Sequence, residues 1–144
     1  MLKDLSVKEW MTSPVITVSP GFPITAADRF MNEKNVRRLV VVDEHGVLGL
    51  VTKGDIREAK PSDATSLSIW ELNYLLAQLT VDKVMTRNLL TVHPHDSISH
   101  AARLMLEHKV SGLPVLDDAG KLVGIITESD MFRMLITSLE AVSV

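Results

Sequence analysis

Apolar positions recur along the chain in a fixed succession of patterns. Short apolar stretches at Val15–Val18 and Leu89–Val92 run up to a proline and predict brief strands. Ile24, Ala27 and Met31 then fall at i, i+3 and i+7, as do Ile98, Ala101 and Met105, which predicts two amphipathic helices. Ser97 or Asp96 is placed to cap the second of them. Denser runs, Leu39–Val42 and Leu113–Leu116, suit strands buried on both faces. Asp43-Glu44-His45-Gly46 and Asp117-Asp118-Ala119-Gly120 supply hairpin turns into third strands, Val47–Thr52 and Leu122–Thr127. Each third strand runs into a closing helix, so the pattern reads β-α-β-β-α, twice.

The two readings are copies of one another. A shift of 74 positions lays Val7-x-x-x-Met11-Thr12 on Val81-x-x-x-Met85-Thr86, and Thr17-Val18-x-Pro20 on Thr91-Val92-x-Pro94. One inserted residue near Val123 then brings Gly49-x-x-Thr52-x-x-Asp55 onto Gly124-x-x-Thr127-x-x-Asp130. About 20 of roughly 50 aligned positions are identical, which marks an internal duplication. Three short strands and two helices are too little to bury their own sheet faces, so two copies are expected to pack face to face around one core. The chain divides into a first repeat at residues 5–60, a linker with a helix at 61–79, and a second repeat at 80–137. The fold class is α/β of the mixed α+β kind. Pro61 and the Ser62-Asp63-Ala64-Thr65-Ser66 cluster break the chain. Ser68-x-x-Glu71 reads as a capping box opening the linker helix, with Ile69, Leu72, Leu76 and Leu79 along one side. Trp70 and Tyr74 lie on another side, and we expect them to be packed rather than to bind a partner.

Composition narrows the function. The 144 residues carry 15 basic and 18 acidic side chains, a formal charge of −3, so there is no overall basic footprint for nucleic acid. Zero cysteines exclude disulfides, thiol catalysis and zinc–thiolate sites. No apolar run is long enough to cross a membrane and the start lacks a signal-peptide core, which points to a soluble, cytoplasmic protein. Enzyme templates fail in turn. Gly49-x4-Gly54 begins like a phosphate-binding loop, but Asp55 stands where that loop needs a lysine. His93 and His95 flank Pro94 without a third ligand at suitable spacing, so they read as exposed turn residues and no metal site is expected.

The repeated Thr-x-x-Asp at the strand-to-helix junction has two readings. As a helix N-cap it is physically complete, with the Thr hydroxyl accepting from the N3 amide and the Asp at the positive helix end. An ionised Asp also has about four acceptor sites, enough to cap a helix and still accept from the two cis hydroxyls of a ribose. A second feature is asymmetric: Val36-Arg37-Arg38-Leu39 in the first copy faces Val110-Ser111-Gly112-Leu113 in the second. Consecutive strand residues point to opposite faces, so one of the two arginines should face a cleft and could take a phosphate. Snorkelling surface arginines are the plainer account.

With both copies in register, these motifs resemble a tandem pair of cystathionine-β-synthase (CBS) domains, a Bateman module, over about residues 5–137. The segment from Lys60 to Leu76 is also similar to the acetoin-utilisation protein B subgroup. The resemblance implies two repeats related by a pseudo-twofold axis, with adenosine-ligand sites in the two clefts between them. One cleft would use Thr52, Asp55, Leu50 and Arg38 with Leu90, Val110 and Ser111. The other would use Thr127, Asp130 and Ile125 with Ile16, Val36 and Arg37. The implied ligand is AMP, ADP or ATP, with S-adenosylmethionine as an alternative; no cofactor is required and no catalysis is implied. A homodimer formed through helices is expected, together with a regulated partner protein that the resemblance leaves unnamed. The function implied is that of a regulatory sensor module, and two alternatives stand beside it: a structural dimerisation module with vestigial clefts, and nucleic-acid binding through Arg37 and Arg38, which the acidity and 4% aromatics disfavour.

Overall fold

The computed structural model describes residues 5–60 and 66–142. The elements are α1 (Val7–Trp10), β1 (Thr17–Val18), α2 (Ile24–Lys34), β2 (Arg38–Asp43), β3 (Gly46–Thr52) and α3 (Lys53–Ala59). They continue with α4 (Ile69–Gln78), α5 (Val81–Val84), α6 (Ile98–His108), β4 (Gly112–Leu116), β5 (Leu122–Thr127) and α7 (Glu128–Val142). They fall into two compact units. One spans Ile16–Asn88; the other joins the residues up to Val15 to those from Leu89 onward.

In the Ile16–Asn88 unit, β1 pairs parallel to β2, and β2 pairs antiparallel to β3 with Arg38 opposite Thr52. Ile24, Ala27 and Met31, the apolar stripe of α2, are fully buried against Leu39, Val41, Val51 and Ile56. Val40, between Leu39 and Val41, is also fully buried, so this strand is covered on both faces. The hairpin turn is built as the residues dictate: Asp43 Oδ1 accepts from the His45 amide at 2.8 Å, and Gly46 takes a φ of 121° that a β-carbon would oppose.

The other unit repeats this plan with β4 and β5, and with Ile98, Ala101 and Met105 of α6 packed on Leu113, Val115 and Ile126. Ser97 is the N-cap of α6, accepting from the His100 amide at 3.1 Å, while Asp96 accepts from the His93 amide. One expected strand shrinks here. Leu89–Val92 contributes only an isolated parallel bridge from Val92 to Val115. In the first repeat the Val40 amide donates to the Ile16 carbonyl at 3.3 Å; the residue equivalent to Val40 is Pro114, which has no N–H to offer Leu90.

The lead-in segments are exchanged. Val81 and Met85, which precede the second repeat, lie in the core of the Ile16–Asn88 unit, and Val7 lies in the core of the other. Thr86 bridges to Leu50 through two backbone bonds of 2.9 and 3.0 Å, and Thr12 bridges to Ile125 in the same way. The glycine of each Gly-x-x-Thr motif makes room for this strand-like edge. A β-carbon on Gly49 would sit 2.6 Å from Met85 Sδ and 2.7 Å from the Thr86 carbonyl oxygen, and one on Gly124 would press on Met11.

The linker departs from expectation in its aromatic residues. Its helix α4 begins after the Ser68 cap, with Ser68 Oγ accepting from the Glu71 amide at 3.2 Å. Leu76 and Leu79 pack on the core of the Ile16–Asn88 unit. That orientation leaves Trp70 and Tyr74 at 82% and 66% exposure, so the packed aromatic pair does not form. The break at Pro61 and Ser62–Thr65 lies outside the described residues.

Candidate functional site

Each unit presents one strand-to-helix junction carrying Thr-x-x-Asp, and the backbone places both junctions alike. The Lys53 amide donates to the Arg37 carbonyl at 3.0 Å, and the Glu128 amide donates to the Ser111 carbonyl at 3.0 Å. These bonds tie the first turn of the closing helix to the residues entering the neighbouring strand. Thr52 caps α3: its Oγ1 accepts from the Asp55 amide at 3.1 Å, and Asp55 Oδ2 accepts from the Thr52 amide at 2.9 Å. The second junction has the same reciprocal bonds, with Asp130 Oδ2 accepting from the Thr127 amide at 2.9 Å and the Asp130 amide reaching Thr127 Oγ1 at 3.4 Å. The capping geometry is therefore present at both.

The carboxylates differ in what else they hold. Asp55 is half-buried, and among the described residues its Oδ1 has no protein partner. Asp130 is 1% exposed and spends both oxygens within its unit. Its Oδ2 also meets Thr127 Oγ1 at 3.2 Å, while Oδ1 accepts from Thr12 Oγ1 at 3.1 Å and from Arg133 Nη1 at 2.7 Å. The Thr12 bond depends on the exchanged lead-in segment, because the Thr12–Ile125 bridge holds that hydroxyl over the junction.

The residues assigned from the resemblance divide between the units. Ile16, Val36, Arg37, Arg38, Leu50, Thr52 and Asp55 belong to the Ile16–Asn88 unit; Leu90, Val110, Ser111, Ile125, Thr127 and Asp130 belong to the other. Within the first set, Arg38 stands directly across from Thr52 on the adjacent strand, half-buried, and Arg37 is exposed. Leu50 lies between β2 and the Thr86 edge, and Ile16 and Val36 pack on the core. Within the second set, Gly112 stands across from Thr127, so no cation takes the place of Arg38. Val110 and Ser111 line an open groove of about 540 Å³ between α6 and α7, together with Leu106, Glu128 and Phe132. His93 and His95 are exposed, and no group of three potential metal ligands occurs among the described residues.

Four participants escaped the sequence reading: Thr12, Arg133 and the two close-packed glycines, Gly49 and Gly124. Aligning the copies would have exposed Arg133, because Lys53 and Glu58 of the first helix correspond to Glu128 and Arg133 of the second, a reversal of charge at both positions.

The sequence profile described as the CBS domain matches residues 7–62 and 81–137. A CBS domain-containing protein of Dictyostelium discoideum is 34% identical over 94% of both chains. L-aspartate semialdehyde sulfurtransferase of Methanocaldococcus jannaschii is 33% identical over 89% of this chain but only 23% of its own length. The chain thus spans about a quarter of the length of the first curated relatives it matches. Among solved structures, the Vibrio cholerae protein assigned to acetoin utilization (AcuB) superposes with a TM-score of 0.78 at 28% identity, covering 94% of this chain and 93% of that one. The CBS domain pair of protein MJ0100, in complex with 5′-methylthioadenosine and S-adenosyl-L-methionine, gives a TM-score of 0.76 at 30% identity, covering 92% and 97%. CBSX2 in complex with AMP gives 0.74 at 30% identity over the same shares.

Proposed function

Because the chain belongs to the CBS-domain family and carries the domain twice, we propose that it is a regulatory module that binds adenosine-containing ligands at its two Thr-x-x-Asp junctions and has no turnover of its own. The observation that carries this reading is the open Oδ1 of Asp55, held beside a capped helix start with Thr52 next to it. A carboxylate oxygen already fixed by its partner's cap accepts from a vicinal diol without further ordering cost, and the Thr52 hydroxyl is one turn away. The bound molecules of the two solved relatives share only the adenosine moiety, which supports the nucleoside as the common recognition element. Arg38 across from Thr52, with Arg37 beside it, makes the Ile16–Asn88 unit the better place for a phosphorylated ligand such as AMP, ADP or ATP. Gly112 gives the other junction no such donor. A ligand that prefers one of two conformations shifts the balance between them, and a partner protein reads that shift.

A second copy of the chain is the proposed neighbour along α7. Phe132, Leu135, Ile136 and Leu139 fall at i, i+3, i+4 and i+7 and are 44–63% exposed, with Leu106 of α6 at 81% beside them. Such a stripe matches the apolar seam of paired helices. The site assignment is tested by titrating wild type, Asp55→Ala and Asp130→Ala with AMP and ATP by calorimetry. Each substitution should remove one binding event, and Asp55→Ala should cost more affinity for phosphorylated ligands. Two-site binding of wild-type strength in both variants would refute the ribose assignment.

A further inference from the structure

We propose that Arg133 is an internal competitor for the diol at Asp130, so that the second junction is latched shut and opens only when its guanidinium leaves. The inference rests on the ribose reading of the Thr-x-x-Asp junctions. Both oxygens of Asp130 are taken. The capping bonds occupy Oδ2, as they do at Asp55, and they define the helix start. The other oxygen, the counterpart of the open Oδ1 of Asp55, is held by Arg133 at 2.7 Å and by Thr12 at 3.1 Å. With the carboxylate 1% exposed, a diol cannot reach that oxygen while the guanidinium sits on it.

The two groups on Oδ1 differ in how readily they leave. The Thr12 hydroxyl hangs on a backbone paired to Ile125 through two bonds of 2.8 and 3.0 Å and stays where its strand edge stays. Arg133 is a long side chain, 60% exposed, on the outer face of the first turns of α7, and it can rotate into water without disturbing the backbone. It is therefore the mobile half of the latch. Among the described residues the first junction has no such device: Glu58 occupies the corresponding position and brings no cation to the Asp55 carboxylate. The charge reversal between the copies makes one junction open and the other self-occupied, so the Asp55 junction fills first.

The latch is tested on the 144-residue chain with Asp55→Ala removing the first junction. Adenosine serves as the probe, since it carries the diol and no phosphate that a free guanidinium could attract. One charge-assisted hydrogen bond, cut to below about 1 kcal/mol by its solvent exposure, corresponds to about a threefold change in dissociation constant (~0.7 kcal/mol). Arg133→Gln in that background should bind adenosine about threefold more tightly, while Arg133→Lys, which keeps a cation on Oδ1, should stay near the parent. The gain should vanish with 2′-deoxyadenosine, which lacks one of the two hydroxyls. A side chain that only supported the fold would not discriminate between the two nucleosides. Unchanged or weaker adenosine binding in Arg133→Gln, or an equal gain for the deoxynucleoside, would overturn the latch. Wild-type adenosine binding in an Asp55→Ala/Asp130→Ala double variant would instead overturn the ribose reading beneath it.

Discussion

Replacing each junction aspartate by alanine, in the absence of any ligand, should destabilise the protein unequally, and the structure sets the order. At Asp55 the loss is confined to the reciprocal cap: the Thr52 amide loses its acceptor, while the Thr52 hydroxyl still accepts from residue 55. Removing half a capping box at a half-exposed position costs about 1 kcal/mol. At Asp130 the same cap is lost and two further bonds go with it, from the Thr12 hydroxyl and the Arg133 guanidinium, all at a carboxylate that is 1% exposed. The Arg133 bond counts for little because that side chain is 60% exposed. The part-buried Thr12 bond contributes more, since hydrogen bonds to charged groups are worth roughly 1.5–3 kcal/mol. The total for Asp130→Ala is then about 2–4 kcal/mol. For a chain of this length each kcal/mol moves the melting temperature by roughly 3–5 °C, so the expected shifts are about 3–5 °C for Asp55→Ala and about 6–20 °C for Asp130→Ala. Thermal melts followed by circular dichroism, with urea titration for the free energies, measure both. Thr12→Val should reproduce part of the Asp130→Ala loss, because it removes one donor from the same oxygen. Equal shifts in the two aspartate variants, or a larger one at Asp55, would refute the claim that the exchanged lead-in segment is fastened through Asp130.

The close approach at the two glycines makes another ordered pair. Gly49→Ala must displace the Thr86 backbone, at about 1–3 kcal/mol, whereas the three atoms nearest a β-carbon on Gly124 all belong to the flexible Met11 side chain, so Gly124→Ala should cost less; urea denaturation checks the ranking. If the α7 stripe is the seam between two copies, Leu135→Asp with Leu139→Asp should yield a monomer by sedimentation velocity while leaving the circular dichroism spectrum intact, since both side chains are 44–60% exposed.

The duplication and the order of elements within each copy are visible in the residues themselves. The stripe Ile24, Ala27, Met31 and the run Leu39–Val42 read as buried helix face and buried strand, and the structure buries all of them except Val42, which is half-buried. These features are local: periodicity, turn residues and caps act within a few positions of one another, so they survive in any tertiary context. The Thr-x-x-Asp cap is legible for the same reason, as is the missing cation at Gly112.

What tertiary structure decided is which groups from distant parts of the chain meet. Pro114 and Val40 are equivalent in the alignment, yet only the pairing with a neighbouring segment shows that the proline removes the bond Ile16 receives, reducing the two-residue strand to the single Val92–Val115 bridge. Trp70 and Tyr74 satisfy a helical spacing equally well whether packed or exposed, and the orientation of α4 through Leu76 and Leu79 leaves them in water. Thr12 and Asp130 are separated by 118 positions and become bonded because the lead-in of one repeat completes the unit of the other. Side-chain pairing at that separation depends on chain topology rather than on periodicity. A matching Thr-x-x-Asp in each copy therefore specifies two capped helices, and the fold makes one carboxylate open and the other closed.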